Sequence, residues 1–321
     1  MSEEIELKFF VDSEHSEDAV ASLIEQTLSK FSLQRKAKKP LKNAYFDTPD
    51  LKLRSLDIGL RLRSAGDSFE ETAKCKGVVI GGLHKRVEYN IPLESENLDL
   101  SKFPTVMWGT EDVEELQKNV VKLFSTDFSR TKWLVMREDA VLAEVCYDKG
   151  DVIAGNCTDP ISEIEIELME GTIGDLFAIA DELVGCSDFK LHLDSRSKAQ
   201  RGYELAGLSP KPRARSFERH EGTESDKTLR YAADFRLHEQ ILLSNFDLRS
   251  LSVMTLCAYE LQKLTRDQAY GDIIAKLLEM EKMEDDEPGR WVKYKSMISS
   301  KIYLKHSLQT CRAALEASIS S

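Results

Sequence analysis

The chain has 321 residues, of which 41% are hydrophobic and 31% are charged, a composition that excludes both a disordered chain and one dominated by membrane spans. Its 56 Asp and Glu residues outnumber its 44 Lys and Arg residues, and the net charge of -12 argues against nucleic acid as a partner, which needs a basic surface. The length allows one large domain and a smaller one.

The opening residues and the cysteines indicate the cellular setting. The first ten residues, MSEEIELKFF, contain neither a basic segment nor a long apolar run, which predicts a cytoplasmic protein without a membrane partner. No C-x-x-C pair occurs, so we expect reduced thiols rather than disulfides or a zinc site. The six cysteines are Cys75, Cys146, Cys157, Cys186, Cys257 and Cys311.

Residues 1–205 contain strand patterns interrupted by three helix patterns. Helices are predicted at residues 16–31, 110–123 and 172–184, because each segment begins at Ser or Thr, has acidic residues in its first turn and carries apolar residues three or four apart. Polar and apolar residues alternate, as in β-strands, in EIELKFFV, LRLRS, TAKCK, RVEYNIPL, WLVM, AEVCYDKG and SEIEIELM.

Two short segments between these elements predict turns. YFDTPD, which begins at Tyr45, is rich in turn-forming residues, and a structural role is expected for it. GVVIGG at residues 77–82 lacks the G-K-[ST] that follows in a phosphate-binding loop, and it is therefore predicted to connect a hairpin.

The chain changes character after residue 205. Residues 206–224 are rich in Pro, Gly, Ser and charge, as linkers are, and we predict a boundary there between a domain at 1–205 and a helical region at 225–321. Amphipathic stretches at about 226–246, 248–270, 271–283 and 290–319 predict a small all-α region.

Several strands have one wholly charged face. Side chains alternate across a strand, so Glu4, Glu6 and Lys8 share a face, and Glu163, Glu165 and Glu167 share another. Arg61 and Arg63, and likewise Lys74 and Lys76, lie on charged faces of the opposite sign. A half-exposed strand also has a polar face, but separate runs of acidic and basic residues on different strands favour charged faces that turn inward, into a closed barrel.

A lumen that contains both signs of charge predicts a particular ligand. Guanidinium and ammonium groups that converge suit phosphate oxygens. A carboxylate cluster beside them would repel a phosphate unless a hard divalent cation lies between the two. The combination therefore predicts a complex of a divalent metal with a polyphosphate.

The chain resembles the CYTH superfamily of triphosphate tunnel metalloenzymes, and within it the bacterial inorganic triphosphatases. The resemblance covers about residues 3–205, and eight motifs occur in the expected order: EIELK, YFDTPD, LRLR, KG with GGLHKRVEYN, STDFSRTKW, the aspartate of YDKG, EIEIEL and SKAQRGY. It implies an α+β fold: a closed eight-stranded antiparallel barrel that forms a tunnel, with flanking helices and a small all-α C-terminal region.

The resemblance also implies a reaction and its residues. The activity would be hydrolysis of inorganic tripolyphosphate to pyrophosphate and phosphate with Mg²⁺ or Mn²⁺, and Lys8 and Lys74 are the candidate catalytic groups. The implied metal ligands are Glu4, Glu6, Glu88, Asp148, Glu163, Glu165 and Glu167. The implied triphosphate-binding residues are Lys8, Arg61, Arg63, Lys74, Arg86, Arg130, Lys132, Lys198 and Arg201.

Three alternatives remain open at this point. Within the same fold, a class IV adenylate cyclase would need a nucleoside pocket, and a thiamine or nucleoside triphosphatase would need an apolar or aromatic mouth. A sensor that binds polyphosphate or nucleotide without cleaving it is the alternative of another class. Relatives often carry a C-terminal helical CHAD domain, and residues 225–321 resemble a shortened form of it that could serve protein contacts.

Overall fold

The computed structural model describes residues 2–12, 16–185, 190–210, 212–245, 247–283 and 289–320. Its strands are β1 (Ser2–Val11), β2 (Ser32–Arg35), β3 (Lys39–Asp47), β4 (Gly59–Ala65), β5 (Ser68–Ile80), β6 (Leu83–Leu93), β7 (Val121–Arg137), β8 (Ala140–Ala154), β9 (Cys157–Leu168) and β10 (Leu191–Leu193). Its helices are α1 (Glu17–Thr27), α2 (Lys52–Ser55), α3 (Val113–Asn119), α4 (Ile173–Gly185), α5 (Lys198–Leu205), α6 (Glu224–Asn245), α7 (Arg249–Thr265), α8 (Ala269–Glu281), α9 (Gly289–Ile298) and α10 (Lys301–Ser320).

Eight of these strands close into an antiparallel barrel. They follow the order β1, β6, β5, β4, β3, β7, β8, β9, and β9 pairs again with β1. The two remaining strands extend the sheet outside the ring, β2 beside β7 and β10 beside β1. The closed eight-stranded barrel predicted from the sequence is confirmed, and so are its flanking helices and the all-α C-terminal region.

The alternation in β1 shows how the sequence produces this barrel. Leu7, Phe9 and Val11 are at most 1% exposed and belong to an apolar cluster outside the ring, with residues of α1 and α4. Glu4, Glu6 and Lys8 occupy the opposite face and turn into the lumen. Burial of apolar surface therefore drives closure from the outside, and it forces the charged faces inward.

The three helices predicted in the barrel region occur, with corrected bounds. Ser16 caps α1 as predicted, but the helix ends at Thr27 because residues 32–35 form β2. The segment 110–123 was too long at both ends, since Asp112 caps α3 and Val121 already begins β7. For α4 the capping box is present, with Thr172 N–H donating to Asp175 at 2.8 Å.

The C-terminal region consists, in its described residues, of α6 to α10. The predicted stretch at 290–319 is divided into α9 and α10. Leu304, Leu308, Cys311 and Leu315 of α10 belong to the same apolar cluster as the outer face of β1. No described helix is both long and apolar enough to cross a lipid bilayer.

The cysteines that the structure describes lie in different surroundings. Cys146 and Cys257 are buried thiols, Cys75 is half-buried and Cys157 is exposed. Cys186 lies outside the described residues.

Asp47 organises the end of β3 and the short helix after it. Its carboxylate is fully buried and accepts backbone N–H groups from Thr48, Leu53 and Arg54 at 2.8 to 3.0 Å. It also accepts the Tyr203 hydroxyl of α5 at 2.9 Å. The aspartate of YFDTPD is thus structural, as predicted, and it fixes α2 and α5 relative to the barrel.

Replacing Asp47 with Ala should lower the free energy of unfolding by about 3 kcal/mol, because four buried donors lose their acceptor. Thermal denaturation followed by circular dichroism measures the change. Asp127→Ala serves as the control, since that carboxylate is 51% exposed and lies 3.6 Å from the exposed Lys42 ammonium group. Equal melting temperatures for the two variants would contradict the structural role of Asp47.

Candidate functional site

The lumen of the barrel contains a cavity of about 570 Å³. Most of the residues predicted from the sequence line it: Glu4, Glu6, Lys8, Arg61, Arg63, Lys74, Arg86, Glu88, Arg130, Lys132, Glu165, Glu167 and Lys198. Asp148 and Glu163 are fully buried behind the wall of this cavity. Arg201 is directed elsewhere, since it binds Asp159 and donates to the Pro160 carbonyl at 2.7 Å.

Strand register brings three carboxylates side by side. Glu144 of β8 is paired with Glu167 of β9, and Glu167 is paired with Glu6 of β1. Like charges directly opposite each other in a sheet repel. Burial, with Glu4, Glu6 and Glu144 nearby, raises the pKa of Glu167 from 4.5 to about 7.

These three residues, with Glu4 and Glu88, form what we call the carboxylate group. Lys74 donates to Glu4 at 2.7 and 2.8 Å and lies 3.0 Å from Glu88. Arg86 lies 3.5 Å from Glu6, and Lys132 contacts Glu144. Among the described residues, no cation lies within 4 Å of Glu167.

The carboxylate group therefore fits a divalent cation. Its five carboxylates are offset by Lys74, Arg86 and Lys132 and, at 4.0 Å from Glu88, by Arg61, which leaves one formal negative charge. Carboxylate oxygens are the ligands that hard cations such as Mg²⁺ prefer. A buried carboxylate without a partner is costly, so Glu167 in particular calls for a cation beside it.

A second acidic cluster is already balanced by protein cations. Oxygens of Asp148, Glu163 and Glu165 lie within 4.8 Å of one another. Lys198 lies 2.6 Å from Asp148 and 3.0 Å from Glu165, and it also contacts Glu163. The other cations of this ion-pair cluster are Lys8, 3.4 Å from Glu165, and Arg130, whose Nε and Nη2 donate to Asp148 at 2.7 and 2.6 Å.

The ion-pair cluster explains the protonation of its lysines. Burial alone would lower the pKa of Lys8 and Lys198, but the surrounding carboxylates outweigh it, and both pKa values are raised. Lys8 and Lys198 therefore remain charged at neutral pH. A charged Lys8 is suited to holding anionic oxygens rather than to removing a proton.

Two arginines of β4 have few anionic partners. Arg63 donates through Nε to the Asn43 side chain at 2.9 Å, and burial, Arg61 and Arg130 lower its pKa to about 10. Arg61 donates to the Thr72 hydroxyl at 2.9 Å, while its nearest carboxylates, Glu70 and Glu88, are 4.0 Å away. Positive charge is therefore in excess in this part of the lumen.

Sequence reasoning missed several residues of the cavity wall. Glu144 alternates with Cys146 and Asp148 in AEVCYDKG, so the period of the strand could have identified it. Arg54 reaches the cavity from α2 and lies over the Tyr203 ring at 4.4 Å. No strand periodicity marks a residue of a four-residue helix.

A family model described as the CYTH domain matches residues 2–203. The chain belongs to the CYTH family. An inorganic triphosphatase from Haemophilus influenzae is 37% identical to it over 206 residues, which are 64% of this chain and 55% of the relative. The chain thus spans about half the length of that curated CYTH relative.

Solved structures are less similar to this CYTH chain. A Hippeastrum protein, described as a candidate adenylyl cyclase with a dominant triphosphatase activity, is 16% identical, with a TM-score of 0.41 over 61% of this chain and 92% of that one. The crystal structure of an inorganic triphosphatase gives 19% identity and a TM-score of 0.20, over 51% of this chain and 75% of that one. The fold assignment rests on the strand order and the family match.

The two acidic clusters should respond oppositely to neutralisation in the metal-free protein. At pH 8, Glu167→Gln should raise the free energy of unfolding by about 1 kcal/mol, because it removes a charge that the fold disfavours. The gain should develop as pH rises from about 4.5 to about 7, the interval over which folded Glu167 stays protonated while the unfolded residue ionises.

Asp148→Asn should instead lower the free energy of unfolding by about 3 kcal/mol, since it leaves Arg130 and Lys198 short of an acceptor. Both changes are measured by denaturation in the presence of a chelator. If Glu167→Gln destabilised the protein at pH 8, the carboxylate group would not carry an excess of negative charge.

Proposed function

We propose that this CYTH protein is a cytoplasmic enzyme that hydrolyses inorganic tripolyphosphate in the lumen of its barrel, with Mg²⁺ or Mn²⁺ as cofactor. One observation carries the proposal: a single cavity holds a carboxylate group that is only partly compensated and, on β4, two arginines, of which Arg63 has no carboxylate partner among the described residues and Arg61 has none closer than 4.0 Å. A divalent cation beside the carboxylate group would compensate its negative charge, and a polyanion beside the arginines would compensate their positive charge.

The carboxylate group is the proposed metal site. Glu4, Glu6 and Glu167 are the ligands that the charge balance favours, with Glu88 and Glu144 beside them. A bound divalent cation supplies Lewis-acid polarisation of a phosphoryl oxygen. Asp148, Glu163 and Glu165, predicted as ligands from the sequence, are proposed instead to hold Lys8, Lys198 and Arg130 in place, because each of the three carboxylates already pairs with at least one of those cations.

The proposed polyphosphate clamp comprises cations from several strands and from α5. Arg61 and Arg63 offer planar guanidinium groups that suit paired phosphate oxygens, and Arg130, Lys132, Lys8 and Lys198 add charge around them. Lys74 and Arg86 stand between the clamp and the carboxylate group, since both touch Glu4. Arg201 is left out of the clamp because it does not line the cavity: Nε and Nη2 bind Asp159 and the Pro160 carbonyl, and Nη1 lies 3.9 Å from Glu163.

The proposed reaction requires mainly that the protein bind and orient its substrate. Water oxygen bonds to a terminal phosphorus, the bridging P–O bond breaks, and the products are phosphate and pyrophosphate. Little covalent work falls to the protein in phosphoryl transfer, so rate comes from positioning and from stabilising charge on the transferring group. Charged Lys8 and Lys198 fit that role better than the role of a general base.

The aromatic residues of the lumen favour an inorganic substrate over a nucleotide or thiamine triphosphate. Tyr45 stacks on Phe124, with the ring centroids 4.8 Å apart. Tyr203 packs edge-on against Phe124, and its hydroxyl donates to Asp47. Because Tyr45 is 7% exposed and Tyr203 is 6% exposed, these rings of the described cavity wall present little surface on which a base or a thiazolium ring could stack.

A phosphate-release assay on the purified chain tests the proposal. We expect tripolyphosphate to be hydrolysed with Mg²⁺ or Mn²⁺, with activity abolished by chelator and much lower on ATP, thiamine triphosphate and long polyphosphate. Cyclic AMP formation from ATP would favour the cyclase alternative. Tight binding of tripolyphosphate by calorimetry without phosphate release would favour the sensor, and would overturn the proposed hydrolysis.

Arg63→Ala should impair the reaction with tripolyphosphate without destabilising the fold. Removing this side chain takes one cation from the clamp and leaves no carboxylate unpaired, so kcat/KM for tripolyphosphate should fall about 100-fold while the melting temperature changes little. Arg137→Ala is the matched control, because that arginine is 62% exposed and pairs with Asp175 on the outer surface. Unchanged kcat/KM in Arg63→Ala would remove Arg63 from the clamp.

A further inference from the structure

Two backbone segments hold Lys8 in position. The Lys8 amide donates to the Gly82 carbonyl at 2.8 Å, in the turn between β5 and β6. On the other side, the Asp194 amide donates to the Lys8 carbonyl at 3.2 Å, and Lys8 Nζ donates to the Arg196 carbonyl at 3.5 Å. The location of the Lys8 ammonium group therefore depends on the 81–83 turn and on the 194–197 loop.

The 194–197 loop also determines the position of Lys198. Ser197, its last residue, caps α5 by accepting the Gln200 amide at 3.1 Å. Lys198 is the first residue of that helix and reaches Asp148 at 2.6 Å. A shift of the loop would thus move two cations of the ion-pair cluster together.

A residue of the C-terminal region holds this loop. The Ser195 hydroxyl donates to Oε1 of Gln240 in α6, 45 residues further along the chain. Gln240 is half-buried and, together with Ser195 and Arg196, lines a small cleft between α6 and the loop. Because this hydrogen bond is partly shielded from solvent, it restrains the loop more than a hydrogen bond to water would.

The same helix supports the 81–83 turn. Gly81 has φ +59°, and a Cβ atom there would lie 3.3 Å from Cδ of Arg236 and from Sγ of Cys311. Arg236 itself is fixed by Glu239 at 2.9 and 3.1 Å and by Ser307 at 2.6 Å. The turn therefore rests against a rigid ionic network between α6 and α10.

We propose that Gln240 and Arg236 of α6 are positioning residues for the polyphosphate site, acting through the two backbone segments that hold Lys8. The inference rests on the proposed function, since it assigns the C-terminal helices a part in that same reaction. Neither residue lines the lumen cavity. Their effect on the reaction is exerted by keeping the ammonium groups of Lys8 and Lys198 where phosphate oxygens would meet them.

Gln240 is the residue to vary, because removing Arg236 would leave Glu239 buried and unpaired and could prevent folding. In the full chain, Gln240→Ala should lower kcat/KM for tripolyphosphate about 10-fold. Gln240→Glu should retain most of the activity, since a carboxylate still accepts the Ser195 hydroxyl. Gln262→Ala, which alters a half-buried glutamine of α7, should leave kcat/KM unchanged.

The same Gln240→Ala substitution made in a Lys8→Ala protein distinguishes positioning of Lys8 from general destabilisation. If Gln240 acts in part through Lys8, then Gln240→Ala should lower kcat/KM by a smaller factor in a Lys8→Ala protein than in the wild type, although the two single variants are both impaired. Losses that multiply in the double variant, or an active Gln240→Ala protein, would overturn the inference while leaving the proposed function intact. A wild-type chain without tripolyphosphatase activity would overturn both.

Discussion

The structure depends on one constraint, which is that a closed barrel must enclose the inner face of each of its strands. In this chain the inner faces are charged, and register sets Glu144, Glu167 and Glu6 next to one another across three strands. Such a row is repulsive by itself. The concentration of carboxylates in the lumen therefore lowers the stability of the fold, and either protonation of Glu167 or a bound cation relieves that cost.

The two acidic clusters of the lumen differ in how their charge is compensated. Asp148, Glu163 and Glu165 have three protein cations close by, and removing any partner would leave a buried charge exposed to repulsion. The carboxylate group is compensated only in part, by Lys74, Arg86, Lys132 and Arg61. In the proposed function a metal would bind there while the ion-pair cluster keeps Lys8, Lys198 and Arg130 fixed, which is the kind of preorganisation that electrostatic catalysis requires.

Much of the barrel, and of the set of residues that face its lumen, could be predicted from the sequence, because the alternation of side chains along a strand is a local property. The period of two assigned Glu4, Glu6 and Lys8 to one face, and runs of unlike charge on other strands implied closure. The end of the segment 110–123 was wrong because Val120, Val121 and Leu123 fit a helical spacing as well as a strand, and pairing with β3 decided for the strand. The pairing of Arg201 with Asp159 could not be predicted, because the two residues are 42 positions apart in sequence.

The relation between the barrel and the C-terminal helices could not be read from composition. The change at residues 206–224 marks where strands give way to helices, yet the apolar cluster does not end there. Leu304 and Leu308 of α10 pack in the same cluster as Leu7 and Phe9, whose neighbour in sequence is Lys8. The strand that carries Lys8, a cation of the proposed clamp, on its inner face thus has its outer face covered by residues from the C-terminal helix. Because side chains on the two faces of a strand share one backbone, whatever secures Leu7 and Phe9 also limits the movement of Lys8.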